Sequence, residues 1–162
     1  MSIKDLSRAP LGVTAVILGI CMVSARAFAV LPPKVYEKLA EESKVKATAF
    51  VKSVQVIGHY NGVDEKVVAF KLIKSFGEVT PPETFKGRCK SVNKKWHEFG
   101  RGPGVGGDIY YYPRRGERVY VTISDNGSYI TSFTRLNPGL QKALDSDPGS
   151  VKTRMGTAYV SR

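Results

Sequence analysis

The chain has 162 residues, of which 25 are Lys or Arg and 14 are Asp or Glu, giving a formal net charge of +11 at pH 7. This length suits one domain with a hydrophobic core, and two cysteines are too few for a disulfide-rich scaffold. The excess of basic residues favours partners that carry negative charge.

The first 29 residues have the three parts of a cleavable signal peptide. Two basic residues lie among the first ten, and an uncharged apolar segment follows over residues 11–24. Ala27 and Ala29 then supply the small side chains that a signal peptidase accepts. The apolar segment is shorter than the roughly 20 residues that span a bilayer as a helix. We therefore expect cleavage after Ala29, a periplasmic or secreted location, and no integral membrane segment after cleavage.

The two cysteines of the chain indicate neither a lipid anchor nor an internal disulfide. Cys21 does not indicate a lipoprotein, because Ile20 occupies a position where a lipobox needs a small residue. Removal of the leader takes away three basic residues and one acid, so that the formal net charge falls from +11 to +9. The remaining chain has one cysteine, Cys89, which cannot close an internal disulfide. We interpret Cys89 as a small buried hydrophobe.

The first half of this domain predicts a helix followed by two strands. Apolar residues recur at helical spacing over residues 33–43, which indicates a short amphipathic helix. A strand begins at Val45, and a change of parity near residues 52–53 indicates a β-bulge. Asn61-Gly62 predicts a hairpin turn, and a second strand follows over residues 65–76.

The second half predicts further extended segments and one helix. Residues 84–92 are typical of a weak strand, and residues 93–107 of a glycine-rich loop. An extended segment at 109–112 precedes a hairpin over 119–134, whose turn is Asp125-Asn126-Gly127. Asn137 is placed to cap a helix from Pro138 to Leu144.

These elements predict a mainly β domain over residues 30–145, followed by a polar and loosely held tail over 146–162. Short strands at close spacing, one of them bent by a bulge, favour a small antiparallel OB-like barrel with short flanking helices. A small sandwich is the alternative.

Three segments resemble the netrin-like domains, the family that includes the tissue inhibitors of metalloproteinases. They are residues 45–57 (VKATAFVKSVQVI), the strand that ends at Lys74–Gly77, and Gly116–Ile123. The resemblance covers residues 44–135 and implies an OB fold. The inhibitors of that family begin the mature chain with a cysteine that chelates the target's zinc, whereas the predicted terminus here is Val30, and the family's disulfides are also absent. The resemblance therefore implies a fold and no inhibitory residue.

Two short motifs have structural explanations. Gly102-x-Gly104-x-x-Gly107 matches a dinucleotide fingerprint, but it follows a polar loop and precedes an extended segment, so we interpret it as loop. Asn126-Gly127-Ser128 matches a glycosylation acceptor and equally a hairpin turn, which we prefer. His59 and His97 are the only histidines, and no spacing predicts a metal site, a cofactor or a catalytic residue. We expect a protein that is not an enzyme.

Basic and aromatic residues form the candidate site. Lys86, Arg88 and Lys90 alternate, so they share one face of their predicted strand, with Gly87 and Cys89 on the other. A second basic cluster follows a run of three tyrosines. The predicted binding surface comprises Lys86, Arg88, Lys90, Tyr110, Tyr112, Arg114, Arg115 and Arg118.

The nature of this surface and the predicted export together limit its partners. Basic groups interleaved with aromatic rings on an OB barrel ordinarily favour single-stranded nucleic acid, but export makes that an improbable physiological ligand. We expect instead an anionic envelope polymer, phospholipid head groups or an acidic protein partner. The alternative is an inhibitor or accessory subunit of an envelope enzyme or secretion assembly, acting through loop 93–107. An exported nucleic-acid binder is the third hypothesis, and a solvated basic surface with no dedicated ligand is the structural alternative to all three.

Overall fold

The computed structural model describes residues 32–93, 108–125 and 128–161. The predicted leader, residues 94–107 of the glycine-rich loop with His97, and the Asn126-Gly127 turn lie outside these residues. Within the described ranges, no helix is long and apolar enough to cross a membrane.

The described residues form a mainly β structure with two short α-helices. In chain order the elements are α1 (Pro33–Glu41), β1 (Val45–Tyr60), β2 (Val63–Ser75), β3 (Thr84–Val92), β4 (Arg118–Ile123), β5 (Ile130–Arg135), α2 (Pro138–Ser146), a 3-10 turn (Pro148–Ser150), β6 (Val151–Arg154) and β7 (Thr157–Val160).

Five strands form one antiparallel sheet in the order β3-β2-β1-β4-β5. The predicted antiparallel β fold is therefore confirmed. Two isolated parallel bridges, Arg88 with Tyr129 and Lys90 with Tyr110, connect β3 to the residue before β5 and to the segment before β4. Because β3 and β5 lie at opposite ends of the strand order, the first bridge shows that the sheet curls. Among the described residues the strands do not form a closed barrel, so the OB-like barrel stays a prediction.

The long strand β1 changes register three times against β2. One of these shifts lies between Val51 and Ser53 and confirms the predicted bulge. The hairpin turn at Asn61-Gly62 is also confirmed: both residues have positive φ, 47° and 78°, as a two-residue hairpin turn requires.

Two hydrophobic clusters hold the fold together. The larger lies within the curled sheet, where β1, β2 and β4 contribute fully buried residues such as Val51, Phe70 and Val121. The smaller packs α2 against the sheet through Leu140, Leu144 and Tyr120. Asn137 caps α2 as predicted, since its Oδ1 accepts a hydrogen bond from the Leu140 amide at 2.8 Å.

The C-terminal residues differ from expectation. We expected a loosely held tail over 146–162, but β6 and β7 pair as a hairpin. Ala158 is buried beside Leu140 and Leu144, and its amide donates to Thr134 Oγ1 at 2.7 Å. The amide of Phe133 also donates to the Gly156 carbonyl at 2.9 Å. A few well-placed contacts therefore order a segment whose composition is mostly polar.

Close packing opposite Gly87 gives a test of this arrangement. A Cβ at position 87 would lie 2.8 Å from Ile130 Cγ1 and 3.2 Å from Ile123 Cδ1, whereas one at Gly58 would meet nothing closer than 3.9 Å. We expect Gly87→Ala to lower the free energy of unfolding by about 1–3 kcal/mol through overpacking. Gly58→Ala is the matched strand control and should be close to neutral in urea unfolding. Equal effects of the two substitutions would contradict the close contact between β3 and β5.

Candidate binding surface and adjoining cleft

β3 separates its basic side chains from its buried ones. Lys86 and Arg88 are exposed and Lys90 is half-buried, whereas Gly87 and Cys89 face the interior. The predicted shared face of the three cations is therefore confirmed as geometry. Their role in binding stays a prediction.

A cross-strand row extends this outer face over three more strands. Lys71 of β2 is paired with Thr84 of β3 and with Phe50 of β1, and Phe50 is paired in turn with Arg118 of β4. Directly paired residues project from the same side of a sheet, and Thr84 and Lys86 share a face because they are two residues apart. Five cations therefore lie on one outer face, here called the basic strip: Lys71, Lys86, Arg88, Lys90 and Arg118.

Acidic residues neutralise only part of the basic strip. Lys71 lies 3.5 Å from Glu83, Arg88 lies 3.8 Å from Glu65, and Lys90 lies 2.8 Å from Asp108. Within the described ranges, Lys86 and Arg118 have no carboxylate at ion-pair distance. The Arg118 guanidinium instead lies 5.6 Å from the centre of the Phe50 ring, which is 41% exposed. Cation and ring therefore form one amphipathic contact surface.

Tyrosines border the basic strip at β3. Tyr110 is paired with Lys90, and Tyr129 with Arg88. Burial, and secondarily the carboxylate of Asp108, raise the pKa of Tyr110. Tyr111 points inward instead, and its hydroxyl donates to the Thr131 carbonyl at 2.8 Å.

Three predicted site residues, Tyr112, Arg114 and Arg115, lie outside the strands that carry the basic strip. Arg114 and Arg115 are exposed in the turn before β4. The Gly116 amide of that turn donates to the Val51 carbonyl at 2.8 Å, which fastens the turn beside β1. The turn therefore lies next to the Phe50–Arg118 end of the basic strip, and a role of its two arginines in binding stays a prediction. Tyr112 is exposed and lines a groove together with Tyr110, Arg135 and Met155.

Three members of the surface were missed from the sequence. Lys71 alternates with the apolar residues of β2, so its parity could have placed it on the outer face. Phe50 has the opposite parity to the buried Ala49 and Val51, so alternation could have placed it on the outer face as well. Tyr129 joins β3 through a long-range bridge, and no local pattern indicates such a pairing.

A cleft of about 310 Å³ adjoins the end of the basic strip, between α1, β3 and the residues that precede β4 and β5. Cys89, Ile109 and Ile130 supply apolar walls. Lys90 and Asp108 also line it, and their hydrogen bond raises the pKa of Lys90. The complete lining is Tyr36, Leu39, Arg88, Cys89, Lys90, Asp108, Ile109, Tyr111, Tyr129, Ile130 and Thr131.

Tyr36 contributes the one unsatisfied polar group of this lining among the described residues. Its side chain is 9% exposed, and its hydroxyl has no hydrogen-bond partner within those residues. Burial, and to a lesser extent Asp108, raise the pKa of Tyr36. An unpaired buried hydroxyl costs about 1–3 kcal/mol.

Within the described ranges, no group of three or more His, Cys, Asp and Glu side chains is placed to hold a metal ion. His59 Nδ1 lies 2.7 Å from Asp64 Oδ1, and Asn93 Nδ2 donates to the same oxygen at 2.9 Å. These contacts join the two sides of the β1–β2 turn to the end of β3.

Cys89 is buried, as interpreted from the sequence. Burial raises the pKa of its thiol to about 11, although nearby Lys66 lowers it slightly. The thiol is therefore neutral near pH 7 and is a poor nucleophile.

The raised pKa of Cys89 predicts a loss of stability at alkaline pH. The unfolded chain releases this proton near pH 9.0 and the folded chain only near pH 11, so rising pH favours the unfolded state across that interval. Cys89→Ala removes the group and should flatten the fall in unfolding free energy between pH 9.0 and 11, even if lost packing lowers stability at all pH values. Denaturant titrations at several pH values measure both slopes. Parallel profiles for the two proteins would contradict the raised pKa.

The chain was also compared with protein-family models, curated proteins and solved structures, and nothing matched it in any of the three comparisons. The resemblance of residues 44–135 to netrin-like domains therefore stays a prediction. The function has to be inferred from the geometry of the surface and the cleft.

Proposed function

We propose that this chain is an exported, non-catalytic binding domain that presents the basic strip and its bordering tyrosines to an anionic envelope component or protein partner. The observation that carries the proposal is the alignment of five cations on one outer face, two of them without a carboxylate partner within the described ranges. Export rests on the sequence of the leader alone.

An anionic ligand would readily displace the carboxylates that pair with Lys71 and Arg88. Lys71 and Glu83 are both exposed, as are Arg88 and Glu65, and exposed pairs contribute only about 0–1 kcal/mol. Exchange of these carboxylates for ligand anions therefore costs little. The interaction would be screened by salt because the cations face solvent.

The spacing of the cations favours a polymer over a single small anion. Lys86, Arg88 and Lys90 occupy alternate positions of one strand, which puts successive charges about 7 Å apart. A ligand with repeated charges can contact several of these residues at once. The exposed ring of Phe50 adds an apolar contact beside Arg118.

An OB-like arrangement is the finer proposal for the fold. The order β3-β2-β1-β4-β5 and the parallel bridge between Arg88 and Tyr129 support it, because a partly open five-stranded barrel brings such ends together. OB folds commonly bind oligonucleotides or oligosaccharides on the face of their second and third strands. Lys71 of β2 and the three cations of β3 lie on the corresponding strands here.

A charge-matched pair of variants tests the basic strip. The strip variant carries Lys71→Gln, Lys86→Gln and Arg118→Gln, and the control carries Lys142→Gln, Lys152→Gln and Arg154→Gln, which lie outside the five-stranded sheet. All six residues are exposed, so both proteins should fold. We expect the strip variant to bind polygalacturonate, used as a model polyanion, about tenfold more weakly than the control at low salt.

Binding of polygalacturonate to the unmodified protein should also weaken steeply as salt rises. Fluorescence anisotropy gives both affinities, and fractionation of cells that express each variant tests envelope association. Equal losses in the two variants would mean that net charge alone governs binding. That result would overturn the proposed surface.

A further inference from the structure

We propose that the cleft beside α1 is a binding site for a small amphiphilic anion, whose apolar tail enters between Cys89, Ile109 and Ile130 and whose carboxylate meets Tyr36 and Lys90. The site goes beyond the proposed function. It shares Arg88 and Lys90 with the basic strip but does not depend on polymer binding.

The dimensions of the cleft suit a ligand of this class. Its volume of about 310 Å³ is at the lower end of ordinary small-molecule pockets. This volume holds about ten non-hydrogen atoms if each takes the roughly 30 Å³ of a water molecule in the liquid. An eight-carbon carboxylate has that size. Leu39 of α1 lines the cleft and is 44% exposed, so it extends the apolar wall toward solvent.

The polar groups of the lining are satisfied by protein, with one exception. The Thr131 hydroxyl lies 2.7 Å from both Ser43 Oγ and Thr122 Oγ1, and its carbonyl accepts from the Tyr111 hydroxyl. Among the buried side-chain polar groups of the lining, only the hydroxyl of Tyr36 lacks a partner within the described ranges. A ligand acceptor at this position would remove the cost of an unpaired donor.

Hydrogen-bond donors outnumber acceptors in the charged part of the cleft. Lys90 has three N–H donors, of which one is given to Asp108 at 2.8 Å. Tyr36 lines the same cleft as this ion pair. Arg88 adds a second cation to the lining, although Glu65 lies 3.8 Å from it. A head group that accepts several hydrogen bonds, such as a carboxylate, fits these donors better than an amine does.

Three small molecules test the contributions of the apolar tail and of the negative charge of the proposed ligand separately. Octanoate has the tail and the charge, octan-1-ol has only the tail, and acetate has only the charge. In titrations followed by amide NMR, we expect saturable binding of octanoate, weaker binding of octan-1-ol and none of acetate. The shifted amides should include those of Cys89, Ile109 and Ile130.

Tyr36→Phe removes only the unpaired hydroxyl and is the decisive variant. We expect octanoate affinity to fall about 3- to 10-fold, the loss of one hydrogen bond, while the free protein is no less stable because no internal bond is lost. Lys86→Gln, on the same strand but outside the cleft, is the control and should leave octanoate binding unchanged. Absence of saturable octanoate binding, amide shifts elsewhere, or equal affinity of Tyr36→Phe would overturn the site.

The proposal of ligand binding in the cleft and the proposal of polyanion binding on the basic strip can be tested independently. The strip variant with Lys71, Lys86 and Arg118 replaced retains the complete cleft lining. It should therefore bind octanoate normally even where it loses polygalacturonate. Loss of octanoate binding in that variant would also contradict the proposed cleft site.

Discussion

β1 pairs with β2 along one edge and with β4 along the other, so every other strand of the sheet takes its position from the path of β1. Three register shifts along its pairing with β2 make that path irregular. Bulges increase the local twist and bend of a strand. The sheet can therefore wrap its inner face around one apolar cluster, and the opposite face becomes the convex outer surface on which the cations of β2, β3 and β4 lie together.

β3 contributes residues to both candidate sites, the basic strip and the cleft. Its outward residues belong to the basic strip, while Cys89 forms part of the apolar wall of the cleft. Gly87, between them, lets Ile130 approach β3 closely. A disturbance of β3 would therefore affect both surfaces, which is why each needs a probe that leaves the strand backbone unchanged.

Local patterns predicted the parts of this structure that depend on neighbouring residues. The alternation of β3, the bulge near Ser53 and the cap at Asn137 all follow from short-range stereochemistry. The row from Lys71 through Phe50 to Arg118 could not be predicted, because it requires the register between strands that are far apart in the chain. The C-terminal hairpin was missed because its turn, Met155-Gly156, lacks the usual Asn-Gly signature, and only a few of its side chains are buried. The cleft draws its lining from α1, β3, β5 and the segment before β4, so no single pattern contains it.

The thiol of Cys89, which is buried and forms no disulfide, has a consequence for the folding of the chain rather than for the folded protein. On the proposed export and cleavage of the leader, the chain would reach an oxidising compartment with Cys89 as its single cysteine, which could then be joined only to another molecule. Once β3 is in place, the interior encloses the sulfur and its thiolate is disfavoured. Rapid folding would thus be the chain's own protection against covalent dimers and mixed disulfides, and slow-folding variants would be captured in these forms first.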